Sequence, residues 1–291
     1  MGDGAPISST VQAWDLGLRL REHRERLGLT AAAVGKTTGI GGTNLSAIES
    51  GKRRLTAAKL GDLADAYSLP PHERAELEAL RAQTERREWW YDDARLYSDE
   101  FLRLLGLEAG AGKVCEYAPD IVPGLLQTAD YARAVMLAGT PYLRPVDVGP
   151  RLRTRLARQG RLAGEHPLKL DVVLGEAALR QWVGVPGVLR GQLAHLLDVL
   201  ARRGDHVRIR VMPFMAGAHP LLGSALKILS FHSTRLSDLL YQETAISGVI
   251  VDKRQVILES TASFAETFDR ALGDHDSREF IRAVHHEMER F

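Results

Sequence analysis

The stretch that most constrains this chain is residues 16–55, LGLRLREHRERLGLTAAAVGKTTGIGGTNLSAIESGKRRL. Leu16, Leu20 and Leu27 fall on one face of a first helix, and Gly28 marks its end. Thr30 is placed to cap a second helix that ends near Gly39. A third is expected from about Gly42 to Glu49, with Leu45 and Ile48 turned inward. Three short helices with a tight turn between the second and third form the arrangement that lays a recognition helix in the major groove of DNA.

Local charge points the same way, although the chain as a whole is nearly neutral at formal +1. Between residues 19 and 59 there are nine basic residues (Arg19, Arg21, Arg24, Arg26, Lys36, Lys52, Arg53, Arg54, Lys59) against three acids (Glu22, Glu25, Glu49). A focused positive field attracts phosphate and makes affinity steeply salt-dependent. The competing reading is a solvated helix face on which Arg21 pairs with Glu25 one turn away.

The segment resembles the helix-turn-helix domain of the XRE family of Cro- and repressor-like regulators. Gly28-Leu29-Thr30 matches the opening of that family's second helix, and Ile48-Glu49-Ser50-Gly51 matches the close of its third. The resemblance implies that Thr43, Asn44, Ser46 and Ala47 lie near base edges, with Arg19, Lys52, Arg53 and Arg54 near phosphates and Thr30 at the start of the second helix. The chain departs from the family by carrying Ala31, Gly41, Gly42 and Ala47 where relatives often hold long polar or basic side chains. Asn44 is the sole bidentate reader in the third helix, so part of any specificity is expected from DNA shape or from elsewhere in the chain.

At 291 residues and 45% hydrophobic content the chain has material for two domains. A single cysteine, Cys115, excludes an intramolecular disulfide and any cysteine-rich zinc site. No run of eighteen apolar residues occurs, and the N-terminal stretch lacks a basic segment followed by an apolar one, so a cytoplasmic protein is expected. Helical spacing continues from Ala57 to Tyr67 and from about His72 to Arg87, followed by Trp89-Trp90-Tyr91, whose tryptophans are expected to pack between domains. The boundary is placed near residue 88, giving a helix-turn-helix DNA-binding domain at 1–88 and an effector, dimerisation or partner-binding domain at 89–291. The fold class expected is α+β multidomain: an all-α N-terminal domain followed by a mixed α/β C-terminal domain.

A second resemblance covers the remainder. The phrase Val122-Pro123-Gly124-Leu125-Leu126-Gln127-Thr128, continued by Tyr131-Ala132-Arg133, is similar to the uncharacterised C-terminal domain of Scr1-like actinobacterial regulators, described as antitoxin-like. Gly175-Glu176-Ala177-Ala178-Leu179-Arg180, Val211-Met212-Pro213-Phe214 and Gly217-Ala218-His219 match later stretches in order. The resemblance implies a transcriptional regulator encoded beside a small partner protein.

Read by periodicity, this region offers helices at Leu125–Ala138, Pro150–Leu162, Val188–Arg202, Ser260–Leu272 and Ser277–Arg290. Strands are expected at Leu168–Leu174, Val207–Met212, Ala225–Phe231, Asp238–Tyr241 and Ile246–Val251. Arg151, Arg155 and Arg158 share one helical face, which either pairs with acids of the fold or grips an anion.

Catalytic motifs are missing from the sequence: it has no H-E-x-x-H, G-x-x-x-x-G-K-[ST] or G-x-S-x-G, and Gly110-Ala111-Gly112-Lys113 has the wrong spacing to wrap phosphate. Asp274-His275-Asp276 reads as a polar turn and Cys115 as a structural thiol, so no catalytic residue, metal or cofactor is expected. The loop after Val207–Met212 combines Met212, Phe214 and His219 and is the best candidate for a ligand or partner peptide. Together these readings predict a homodimeric regulator bound to double-stranded DNA, answering to a small molecule or a small protein encoded nearby, with no membrane association. The alternative is an enzyme built on the C-terminal domain with a repurposed helix-turn-helix.

Overall fold

The computed structural model describes residues 8–139, 143–244 and 247–288. They form two compact units, one ending at Asp92 and the other beginning at Asp93. The first is all-helical and the second is a mixed α/β structure.

The first unit holds α1 (Ser9–Arg26), α2 (Ala31–Thr38), α3 (Gly42–Glu49), α4 (Ala57–Ala66) and α5 (Pro71–Thr84). Thr30 caps α2 as its sequence position predicts, its Oγ1 accepting a hydrogen bond from Ala33 N at 3.1 Å. Gly39 closes the same helix in the left-handed conformation, at φ 69°. One apolar core gathers Leu16 and Leu20 of α1, Val34 of α2, Leu45 and Ile48 of α3, Leu60 and Leu63 of α4, and Leu77 and Leu80 of α5. Leu27 does not join it. The helix stops at Arg26, the chain turns through Gly28 at φ 66°, and Leu27 is left half exposed beyond the last turn.

The second unit is built on a six-stranded sheet of β1 (Lys113–Ala118), β2 (Lys169–Gly175), β3 (Val207–Met212), β4 (Leu226–Ser230), β5 (Leu239–Glu243) and β6 (Gly248–Val251). The order is β3-β2-β1-β4-β5-β6, parallel among the first three and antiparallel beyond β1. The outer edge of β3 is closed by its own chain: Leu272 N donates to Val211 O, and Val211 N donates to Ser277 Oγ.

Helices α6 (Asp99–Gly110), α7 (Ala129–Gly139), α8 (Pro145–Arg158), α9 (Glu176–Arg180), α10 (Pro186–Arg203), α11 (Arg254–Arg270) and α12 (Asp274–Glu287) complete the unit. Ile257, Phe264 and Phe268 of α11 share a core with Tyr117, Val173, Met212, Ile228 and Leu240 of the sheet.

Most expected elements stand near their predicted places, with instructive shifts. The helix expected from Leu125 begins only at Ala129, because Gln127 and Thr128 are held by long-range bonds to Arg155 and Gln192. The helix expected from Pro150 begins at Pro145, a residue suited to a first turn, and Pro150 lies inside it. Ile246 and Arg290, included in an expected strand and helix, lie outside the described residues. Three elements have no counterpart in the periodicity reading: α6, α9 and β1. The signal for α6 is its cap: Ser98 Oγ accepts from Phe101 N, and Asp99 and Glu100 open the first turn. In β1 the apolar alternation is spoiled by Glu116, a charge at a position that faces inward.

Candidate nucleic-acid interface

The placement of α3 depends on how closely α1 approaches it. A Cβ on Gly17 would fall 2.4 Å from Ile48 O and 2.6 Å from Glu49 O, and one on Gly51 would fall 2.6 Å from Trp14 Cα. Backbone lies against backbone at both points, so only glycine fits, and Gly51 in addition sits at φ 67°. Next to this contact Arg24 makes a two-pronged pair with Glu49, at 2.6 and 2.8 Å, and donates a third bond to Leu29 O at 2.8 Å. Both side chains of the pair are largely buried. One guanidinium therefore ties α1, the turn before α2 and the end of α3 into a fixed frame.

That frame sorts the predicted site residues. Thr43 and Ser46 project from α3 into solvent, with Asn44 and Ala47 partly covered. Ala47 O accepts backbone bonds from Lys52 N at 2.8 Å and Arg53 N at 3.0 Å, which folds the basic run against the end of α3. Lys52, Arg53 and Arg54 are exposed and form no ion pair among the described residues. Arg53 Nη1 reaches back to Asn44 Oδ1 at 2.5 Å, so the one bidentate reader and a phosphate-binding candidate already touch.

Other members are diverted. Arg19 pairs with Asp15 at 3.1 Å and lies 3.8 Å from Glu76, which neutralises much of its field. Thr30 spends its hydroxyl on the α2 cap. Arg21 and Glu25 do form the predicted surface pair, at 2.7 Å. The positive surface is thus narrower than the sequence count suggests. It is concentrated after α3, with Lys36, Lys59 and Arg26 exposed elsewhere on the unit.

The arginines of α8 are used internally. Arg158 is buried and grips Glu108 of α6 with two bonds, 2.7 and 2.8 Å long. Arg155 donates to Gln127 Oε1 at 2.7 Å, and Arg151 donates to Leu96 O while stacking over Tyr97. Lys227 of β4 stands opposite Glu116 of β1 in the ladder, with its Nζ 3.1 Å from that carboxylate and 3.4 Å from Glu108. Burial pushes the Glu108 carboxyl up, but Arg158 and Lys227 outweigh it and hold the group at about 2. Burial dominates at Glu116 and raises it.

The Val122–Thr128 phrase is a strap tied down by glutamines and by Arg155. Gln127 donates to Val122 O, Gln159 donates to Gly124 O and Gln127 O, and Gln192 donates to Leu126 O while accepting from Thr128 N.

The loop after β3 gathers two of its three expected residues. Met212 lies in the core that includes Tyr117, and His219 is buried with Nε2 3.2 Å from Tyr117 Oη. Burial and then Arg270 lower the His219 pKa. Phe214 points away and is 66% exposed. Cys115 is partly buried on β1, and burial pushes its thiol up to about 11, which leaves it unreactive near neutrality. Asp274-His275-Asp276 forms the first turn of α12 rather than a turn ahead of it, and Asp274 pairs with Arg210 at 2.9 Å. No described helix is long and apolar enough to cross a membrane.

Residues 101–283 match the family described as a domain of unknown function, DUF5753. The chain belongs to that family. Ahead of the family domain, residues 15–77 match a helix-turn-helix domain, a segment that runs from within α1 through α2, α3 and α4 into α5 and includes Gly17 and Gly51. No curated protein and no solved structure matches the chain.

Proposed function

We propose that this DUF5753 protein is a sequence-specific, DNA-binding transcriptional regulator of the XRE type, related to the Scr1-like antitoxin-like regulators. Residues 1–88 bind DNA. Residues 89–291 dimerise and respond to a small molecule or a small protein partner, and the protein acts in the cytoplasm. The observation that carries this reading is the helix-turn-helix in which α3 exposes Thr43 and Ser46 directly beside Lys52, Arg53 and Arg54, three cations without acidic partners among the described residues.

In the free protein Arg53 occupies Asn44 Oδ1. An adenine edge takes the Nδ2 donor and one lone pair of Oδ1, so Arg53 on the other lone pair orients the carboxamide for reading. Thr43, Ser46 and Ala47 complete the base-facing surface, with Arg19 and Thr30 at its margin. Two such helices in a homodimer would meet half-sites roughly one helical turn, about 34–36 Å, apart. An effector bound by the second unit, for which the Met212 and His219 surroundings are the first place to look, acts by favouring one separation of the two helices over another.

The test is binding of the purified full chain to duplex DNA from upstream of its own reading frame, titrated against salt and scrambled competitor. A site-specific complex whose affinity falls steeply with salt is expected. Weak binding that ignores sequence would defeat the reading.

A further inference from the structure

Past the end of α5 the chain returns to the basic run. Arg54 Nη2 donates to Tyr91 Oη at 3.2 Å, and its guanidinium carbon lies 5.3 Å from the centre of the Tyr91 ring. Together with Arg87 these side chains line an open cleft of about 450 Å³. All three are exposed, and Arg86, next in sequence, is exposed as well. Asp92 pairs with Arg87 at 2.6 Å. That pair is more than 70% exposed on both sides, so a competing anion gives up little to displace it.

We infer that Arg54, Arg87 and Tyr91 form a phosphate-binding cleft that extends the DNA contact beyond the helix-turn-helix, and that its ligand is a phosphodiester of the duplex read by α3. The inference rests on the DNA-binding reading above. Arg53 joins α3 through Asn44, and Arg54 joins the cleft through Tyr91, so adjacent residues link the base-reading surface to the new one. The chemistry suits a phosphodiester: two guanidinium forks supply donors for the non-bridging oxygens, and a phenol supplies a further donor beside an apolar ring. Arg54 is held on Tyr91 before any ligand arrives, which reduces the ordering cost of the contact.

The experiment compares Arg87→Gln, Arg87→Lys, Tyr91→Phe and Arg53→Ala in the full chain, with the upstream duplex and a scrambled duplex at several salt concentrations. Arg87→Gln is expected to weaken both duplexes about five- to tenfold near 150 mM salt and to lower the salt slope by about one. Arg87→Lys should keep the slope and recover part of the affinity. Tyr91→Phe should lose a smaller factor with the slope unchanged. An unchanged affinity for Arg87→Gln beside a clear loss for Arg53→Ala would overturn the cleft and leave the DNA reading standing. Unchanged affinity in both would defeat the DNA reading itself. Calorimetric titration with inorganic phosphate supplies the remaining arm: a complex that needs Arg87, in a protein whose DNA affinity ignores Arg87, would make the cleft a free-anion site and overturn the proposal.

Discussion

Lys52, Arg53 and Arg54 stand in solvent behind α3, whereas Arg151, Arg155 and Arg158 of α8 end against groups of their own unit. In the sequence the two stretches look alike, as dense cations on or beside a short helix. They differ in what the fold brings to them. Glu108 arrives beneath α8 from fifty residues upstream, and Gln127 from the strap ahead of α7. No described carboxylate reaches the run after α3, whose arginines touch only the Asn44 carboxamide and the exposed Tyr91 hydroxyl; Glu49, the acid closest in sequence, is already held by Arg24. Cation density therefore marks a binding surface only where the fold leaves the cations exposed and free of a carboxylate.

The comparison breaks most visibly at Glu108. Glu108→Ala leaves Arg158 and Lys227 buried beside one raised carboxyl, and it should cost about 3–5 kcal/mol in urea unfolding of the second unit while DNA affinity stays unchanged. A loss of affinity from this change, without unfolding, would mean that α8 contributes to binding after all.

Acid offers a second view of the same cluster. Glu108 is held near 2, below its unfolded value near about 4.3, so its stabilisation is complete above that value and drains away as pH falls from there toward about 2. Glu116, raised by burial, has the opposite sign and partly offsets the loss. The acid limb of a stability profile should therefore flatten in Glu108→Gln.

In the first unit, Gly17→Ala forces a methyl into the carbonyls of Ile48 and Glu49 and should cost about 1–3 kcal/mol. It should also reduce DNA binding, since α3 shifts with its support. Arg53→Ala should leave the melting temperature alone, weaken all duplexes roughly alike and lower the salt slope by about one, while Asn44→Ala narrows the gap between the upstream and scrambled duplexes. The smallest effect is expected at Arg21→Ala. Its pair with Glu25 is more than half exposed, and its loss should stay within about 0.5 kcal/mol in thermal unfolding.

Much of the first unit was legible because its signals are local. Thr30 caps the helix that starts one residue later, Gly39 ends it, and Leu45 and Ile48 are spaced to face one core. The misplaced residue, Leu27, lay past a turn that helical spacing alone does not see. In the second unit β1 was hidden, since Glu116 interrupts its apolar alternation until Lys227 is set across from it. The strap from Val122 to Thr128 was visible as a phrase, but its purpose was not. Its partners Gln159 and Gln192 lie more than thirty and sixty residues away.

By itself the sequence determined the helix-turn-helix, its caps and the basic run behind α3, because each is written in residues within one or two helical turns of one another. Only the tertiary structure decided which arginines remain available to a ligand. That depends on whether a carboxylate or amide distant in sequence reaches the guanidinium first, and a buried charge tolerates no other arrangement than one that pairs it.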